Sequence, residues 1–101
     1  MTLKVVFRRA ARAEFDGAAL WYEERQPGLG MQFTSEIDRA ASLAAENPAR
    51  FPIKHRDIRC VQVRRFPYSV FYRIEAHRIV VLAVFHARRD PAIWKTDRPG
   101  R

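Results

Sequence analysis

Residues 80–94 read VVLAVFHARRDPAIW. Residues 78–85 are apolar from Ile79 to Phe85, with no alternation. A strand that buries one face alternates, whereas a strand buried on both faces reads as a continuous apolar run. This segment is therefore expected to be a central strand with neighbours on both sides. The run stops at His86, and Arg88, Arg89, Asp90, Pro91 and Trp94 follow. Such a cluster at the end of a buried strand is either a site or a lock that fixes the strand end.

Working back from this strand, residues 68–75 (YSVFYRIE) alternate. Tyr68, Val70, Tyr72 and Ile74 fall on one face, and Ser69, Phe71 and Arg73 on the other. A turn at Ala76 and His77 joins the two strands as a hairpin. Residues 58–64 form the strand before it, with Val61 and Val63 sharing a face with Arg59 and Arg65, and with Ile58 and Cys60 opposite. Residues 47–57 (NPARFPIKHRD), with two prolines and three basic side chains, read as a loop.

The first half of the chain is helical by period. Residues 3–7 (LKVVF) are short and β-branched, a strand pattern. From about residue 10, Ala11, Phe15, Ala18, Ala19 and Tyr22 recur at helical spacing until Gln26, Pro27 and Gly28 stop them. Gly17 interrupts this helix at a cost of about 1 kcal/mol against alanine, which suggests a close approach there. Residues 29–46 carry a second stripe, Phe33, Ile37, Ala40, Ala41 and Ala44, ended by Asn47 and Pro48. A short turn between the helices makes an antiparallel hairpin, with Trp21 expected to cover it. The fold class is α+β: an N-terminal strand, an antiparallel helical hairpin, then a three-strand antiparallel meander. The first strand lies beside the last and completes one twisted sheet.

The chain has 101 residues, so a single domain over 1–101 is expected. Residues 95–101 (KTDRPGR) have no apolar side chain and are expected to be mobile. The formal net charge is +8, which favours an acidic partner: nucleic acid, an acidic protein segment or an anionic surface. Cys60 is the single cysteine, which excludes an internal disulfide and fits a reducing cytoplasm. The short apolar run at the N-terminus breaks at Arg8 and Arg9, too soon for a signal peptide or a membrane span. His55, His77 and His86 lack metal-ligand spacing, and no glycine loop for phosphate is present, so no metal and no cofactor are expected. Ser35, Ser42 and Ser69 have no nucleophile context.

The segments RRFPYSVFYRI (64–74) and IVVLAVFHARRDPAIW (79–94), in this order of elements, resemble the RelE/ParE superfamily of type II toxin–antitoxin toxins. The resemblance spans nearly the whole chain, is most specific in PYSVFY (67–72) and HARRDP (86–91), and favours the ParE-like branch. It implies a toxin that inhibits DNA gyrase by binding. Its implied partner is a cognate antitoxin that is acidic, DNA-binding and partly disordered. The alternative within the superfamily is a RelE-like ribosome-dependent mRNA endonuclease; a third reading is a basic nucleic-acid-binding module without toxicity. RNA cleavage without metal needs a base, a phosphate clamp and an acid. Lys54, His55, Arg65 and His86 are the available groups. The chain departs from the cleaving members at Ser69, where they carry an arginine, and at Trp94, which only loosely matches their C-terminal tyrosine. The binding reading assigns no catalytic residue. It places Arg64, Arg65, Arg73, His86, Arg88, Arg89, Asp90 and Trp94 at a surface for partner or target, with Asp90 and Pro91 fixing the exit of the last strand. His86, Asp90 and Trp94 each have a purely structural role open to them, as a hydrogen-bonded strand-end histidine, a capping aspartate and a packed tryptophan, whereas the five arginines make a positive field that folding does not require.

Overall fold

The structure, a computed structural model, describes residues 2–88. The expectations for Arg89, Asp90, Pro91, Trp94 and the 95–101 tail lie outside the described residues. In chain order the elements are β1 (Lys4–Phe7), α1 (Arg9–Arg25), α2 (Leu29–Glu46), β2 (Ile53–His55), β3 (Ile58–Gln62), β4 (Tyr68–Glu75) and β5 (Arg78–His86). The strands form one five-stranded sheet in the order β1-β5-β4-β3-β2. β1 runs parallel to β5, and the other pairs are antiparallel. A parallel neighbour requires a long crossover, and the helical hairpin lies within it. No helix among the described residues is long and apolar enough to cross a membrane.

One strand departs from the expected meander. β2 sits within the segment read as a loop, and it pairs Ile53 with Arg59 and His55 with Ile58 through an irregular register. It is short and follows Pro52, whose carbonyl accepts the Cys60 N–H at 3.1 Å. Proline is tolerated at a sheet edge because its missing N–H faces no partner. The sharp turn from β2 to β3 places Arg56 at φ 53.

β5 is buried on both faces, as its run of apolar residues requires. Ile79, Val81 and Val84 join the helix-facing core with Phe15, Phe33, Ile37 and Ala44. Val80, Leu82, Ala83 and Phe85 belong with Ile58, Cys60 and Phe71 to a second cluster that has no helical member. Phe71 pairs with Ala83 and Tyr72 with Val81, so Leu82 is an extra residue, a β-bulge. The bulge puts Leu82 and Ala83 on the same side, which two-residue periodicity alone does not produce.

The close approach in the hairpin is at Gly30, not Gly17. A Cβ on Gly17 meets nothing within 4 Å, whereas one on Gly30 would lie 2.5 Å from the Ala19 carbonyl and 2.9 Å from Glu23 Cβ. Glu23 also serves the start of α2. Its carboxylate accepts the Gly28 N–H at 2.9 Å and the Gly30 N–H at 3.0 Å. Gly28, at φ 89, has no side chain to cap the helix, so a carboxylate from the preceding helix meets the positive end of the helix dipole. Arg59 closes the segment ahead of β2 by donating to the carbonyls of Ala49 at 3.1 Å and Phe51 at 2.7 Å. Tyr72 is fully buried and donates its hydroxyl to the Pro48 carbonyl at 2.6 Å.

Gly30→Ala is expected to destabilise the fold by about 1–3 kcal/mol through overpacking. Gly17→Ala should stabilise it by up to about 1 kcal/mol through helix propensity. Urea unfolding of the two variants checks the opposite signs.

Burial pushes the Tyr72 hydroxyl above the usual phenol range. The folded state then holds this proton more tightly than the unfolded chain. Its stabilising contribution is complete below the ordinary tyrosine value and is lost as pH rises through the raised one. Tyr72→Phe is expected to cost about 1–2 kcal/mol at neutral pH, because the Pro48 carbonyl loses its donor. The variant should lose less stability than the parent between neutral and strongly alkaline pH. Denaturation midpoints measured across that range test both effects.

Candidate functional site

The turn from β3 to β4 is built by Phe66. Its side chain inserts between the helices, with ring centroids 4.9 Å from Tyr22 and 5.2 Å from Phe33, both edge-on. The Val63 N–H donates to the Tyr68 carbonyl at 2.9 Å, and the Tyr68 N–H to the Phe66 carbonyl at 2.8 Å. Arg65 takes the left-handed conformation, φ 71, which a non-glycine residue adopts at some energetic cost. Its guanidinium turns to α2, donating to Gln32 Oε1 at 2.9 Å and lying 4.0 Å from Glu36 Oε2. Glu36 is largely buried, and its Oε1 has no hydrogen-bond partner among the described residues. Arg64, the neighbour of Arg65, is exposed and makes no ion pair among the described residues.

The end of β5 meets this turn. Tyr68 pairs with His86 across the sheet, and the Ala87 N–H donates to the Pro67 carbonyl at 2.8 Å. The His86 ring stands edge-on to Tyr68, centroids 5.1 Å apart. Its Nδ1 accepts the Arg88 N–H at 3.0 Å. The histidine thus closes the turn that leaves the strand. Of the two meanings open to the charged cluster, a lock at the strand end is the one His86 fulfils. Arg88 is exposed beyond it.

The register therefore gathers Arg64, Arg65, His86 and Arg88 at one end of the sheet. Arg73 lies toward the other end of β4, where its Nε donates to Asp57 Oδ2 at 3.0 Å. Both partners are substantially exposed, and such pairs contribute at most about 1 kcal/mol. His55 pairs with Ile58 next to the Arg59–Tyr72 pair, whereas His86 pairs with Tyr68. Four residues of β4 separate those levels, about 13 Å at ~3.3 Å per residue. Lys54 and His55 are thus not gathered with Arg65 and His86. Burial pushes the Cys60 thiol up, away from a reactive thiolate. No group of three metal-ligating side chains occurs among the described residues.

Two surface features escaped sequence reasoning. A groove of about 400 Å³ lies between α1 and the end of β5, lined by Ala13, Glu14, Gly17, Ala18, Trp21, Tyr22, Tyr68, Val84 and His86. Trp21, expected over the hairpin, is 50% exposed at its rim, with the Arg25 guanidinium 4.2 Å from its ring centroid. On the outer side of the hairpin, Leu20 and Met31 stand 60% and 75% exposed. Both fall off the apolar stripes, so periodicity marks them only as misplaced apolar residues.

Comparison with known proteins places this geometry. No curated protein matches the chain in sequence. A solved structure described as a chromosomal ParDE TA system from P. aeruginosa superposes with a TM-score of 0.75 at 16% identity, covering 86% of this chain and 98% of that one. At that identity the likeness establishes the fold. The sequence model of the ParE toxin of the type II toxin–antitoxin system parDE matches residues 5–91, from β1 past the end of β5. The chain belongs to the ParE toxin family of type II toxin–antitoxin systems.

Proposed function

We propose that this single-domain toxin acts in the cytoplasm by binding DNA gyrase and blocking it, without bond chemistry of its own. A cognate antitoxin neutralises it. The observation that carries this reading is the sheet end where Arg64 and Arg88 stand exposed beside a histidine already used as a structural acceptor. Positive side chains on a rigid frame suit recognition of an acidic surface. A proton-transfer site would need a base near His86, and Lys54 and His55 stand at a different level of the sheet.

In this reading Arg64 and Arg88 face the target or the antitoxin, and Arg89, Asp90 and Trp94 are the remaining candidates for that contact. Arg65 holds the turn that presents Arg64. His86 holds the strand end that presents Arg88. Arg73 marks the far limit of the surface. The net charge of +8 fits an antitoxin with an acidic, partly disordered binding segment that orders on contact. A DNA-binding portion of the antitoxin would lie outside this contact.

Replacing Arg88 and Arg89 together by glutamate should weaken gyrase inhibition at least about 100-fold, since two reversed charges cost several kcal/mol at a complementary interface. His86→Gln retains a hydrogen-bond acceptor but no acid or base near neutral pH, and should keep inhibition within a few-fold. Circular dichroism confirms that both variants are folded. Supercoiling assays and ribosome-bound RNA cleavage are run side by side. RNA cleavage by the parent that falls roughly 100-fold in the glutamine variant, with gyrase unaffected, would overturn the proposal.

A further inference from the structure

We propose that the outer edge of β5 at Val84 and His86 is a strand-addition site for an extended segment of the antitoxin. This inference rests on the antitoxin partnership proposed above. β5 runs from Arg78 to His86, but β1 pairs only with its first part, from Lys4–Arg78 to Phe7–Val81. The Arg8 N–H then takes the Val81 carbonyl at 2.9 Å, and the chain turns away into α1. Beyond Val81, β5 has β4 on one side and no paired strand on the other among the described residues.

The direction of the backbone groups follows from two hydrogen bonds. The Ala87 N–H points to Pro67, toward β4. Antiparallel pairs alternate, so Phe85 also bonds toward β4, whereas Val84 and His86 direct their N–H and C=O groups outward. The Val84 N–H does point outward, to Glu14 Oε1 of α1 at 3.0 Å. That carboxylate stands where the carbonyl of a neighbouring strand would stand. No described hydrogen bond reaches the His86 N–H.

The surroundings specify the occupant. The groove beside this edge has Ala13, Trp21 and Tyr22 on its helical wall, enough for one apolar side chain of an extended segment. Arg25, stacked on Trp21, and Arg88, which follows His86, adjoin it, both exposed. Alternate side chains of a strand point to opposite faces. A segment with an apolar anchor and nearby carboxylates therefore fits both the groove and its rim. A second copy of this chain fits poorly, because edge-to-edge pairing would bring two chains of charge +8 together.

The test separates the backbone donor from the side chain. His86→Ala and His86→Pro both remove the imidazole, but only proline removes the outward N–H. Proline at an outward-facing edge position leaves the ladder with β4 intact, and circular dichroism checks this. The antitoxin encoded beside this chain is co-expressed, and its affinity for each variant is measured by displacement. His86→Pro is expected to bind at least 10-fold more weakly than His86→Ala. In the parent complex, the His86 amide should exchange at least 10-fold more slowly than in the free chain. Equal affinity of the two variants, or unchanged His86 exchange in an intact complex, overturns the inference and leaves the antitoxin partnership standing. Slow His86 exchange in the free chain that depends on its own concentration overturns it in favour of a second copy. Failure of the parent to bind the antitoxin at all overturns the proposed function and this inference with it.

Discussion

The structure depends on the packing around one ring, that of Phe33. It is fully buried on α2, and it meets Phe15 and Tyr22 of α1, Phe66 of the β3–β4 turn and Tyr68 of β4, at centroid distances from 5.0 to 6.1 Å. Edge-to-face and tilted aromatic pairs of this kind contribute about 0.5–1.5 kcal/mol beyond their buried area. More important is what they join. Phe15 and Tyr22 fix the helical hairpin, Phe66 fixes the turn that carries Arg64 and Arg65, and Tyr68 carries the His86 ring on its far side. The candidate surface is therefore continuous with the core, and its geometry is set by apolar packing before any charge is considered.

The charges follow a division of labour. Glu14 accepts the Val84 N–H of β5, and Glu23 accepts two N–H groups at the start of α2. Arg59 serves backbone carbonyls, and Arg65 serves the side chains of α2. Arg73 and Arg78 pair with Asp57 and Glu75. Of 19 basic and 11 acidic residues, many are thus engaged in holding the fold, while Arg64 and Arg88 are not. An excess of positive charge that stability does not use is free to act over a Debye length of about 8–10 Å on an approaching acidic partner.

The sequence made the periodic elements legible. Both helices, β4 and β5 appear within a residue or two of their expected limits, because stripes at helical spacing and a doubly buried strand leave strong patterns. β2 was hidden because an edge strand of three residues after a proline has no pattern of its own. The bulge at Leu82 was hidden because residues 79–85 are apolar on both sides of it. Gly17 drew attention by interrupting a helix, yet Gly30 is the residue that the opposing backbone constrains. A glycine's necessity is a property of what faces it, and one chain position does not reveal that. Among the site residues, their clustering at one sheet end follows from the hairpin register, but the inward turn of Arg65 depends on a positive φ that no residue type announces.

That turn also explains how a small domain can present a fixed surface. A left-handed arginine costs of order 1 kcal/mol or more and persists only where its surroundings determine it. Here Phe66 is wedged into the core one residue later, while the Arg65 guanidinium reaches Gln32 and Glu36. On the neighbouring strand, the His86 ring and its Nδ1 hold the exit of β5 in the same way. Two adjacent backbone segments are fixed by side chains that are themselves anchored. A surface so restrained loses little conformational freedom when a partner arrives, and preorganisation of this kind converts contact area into affinity.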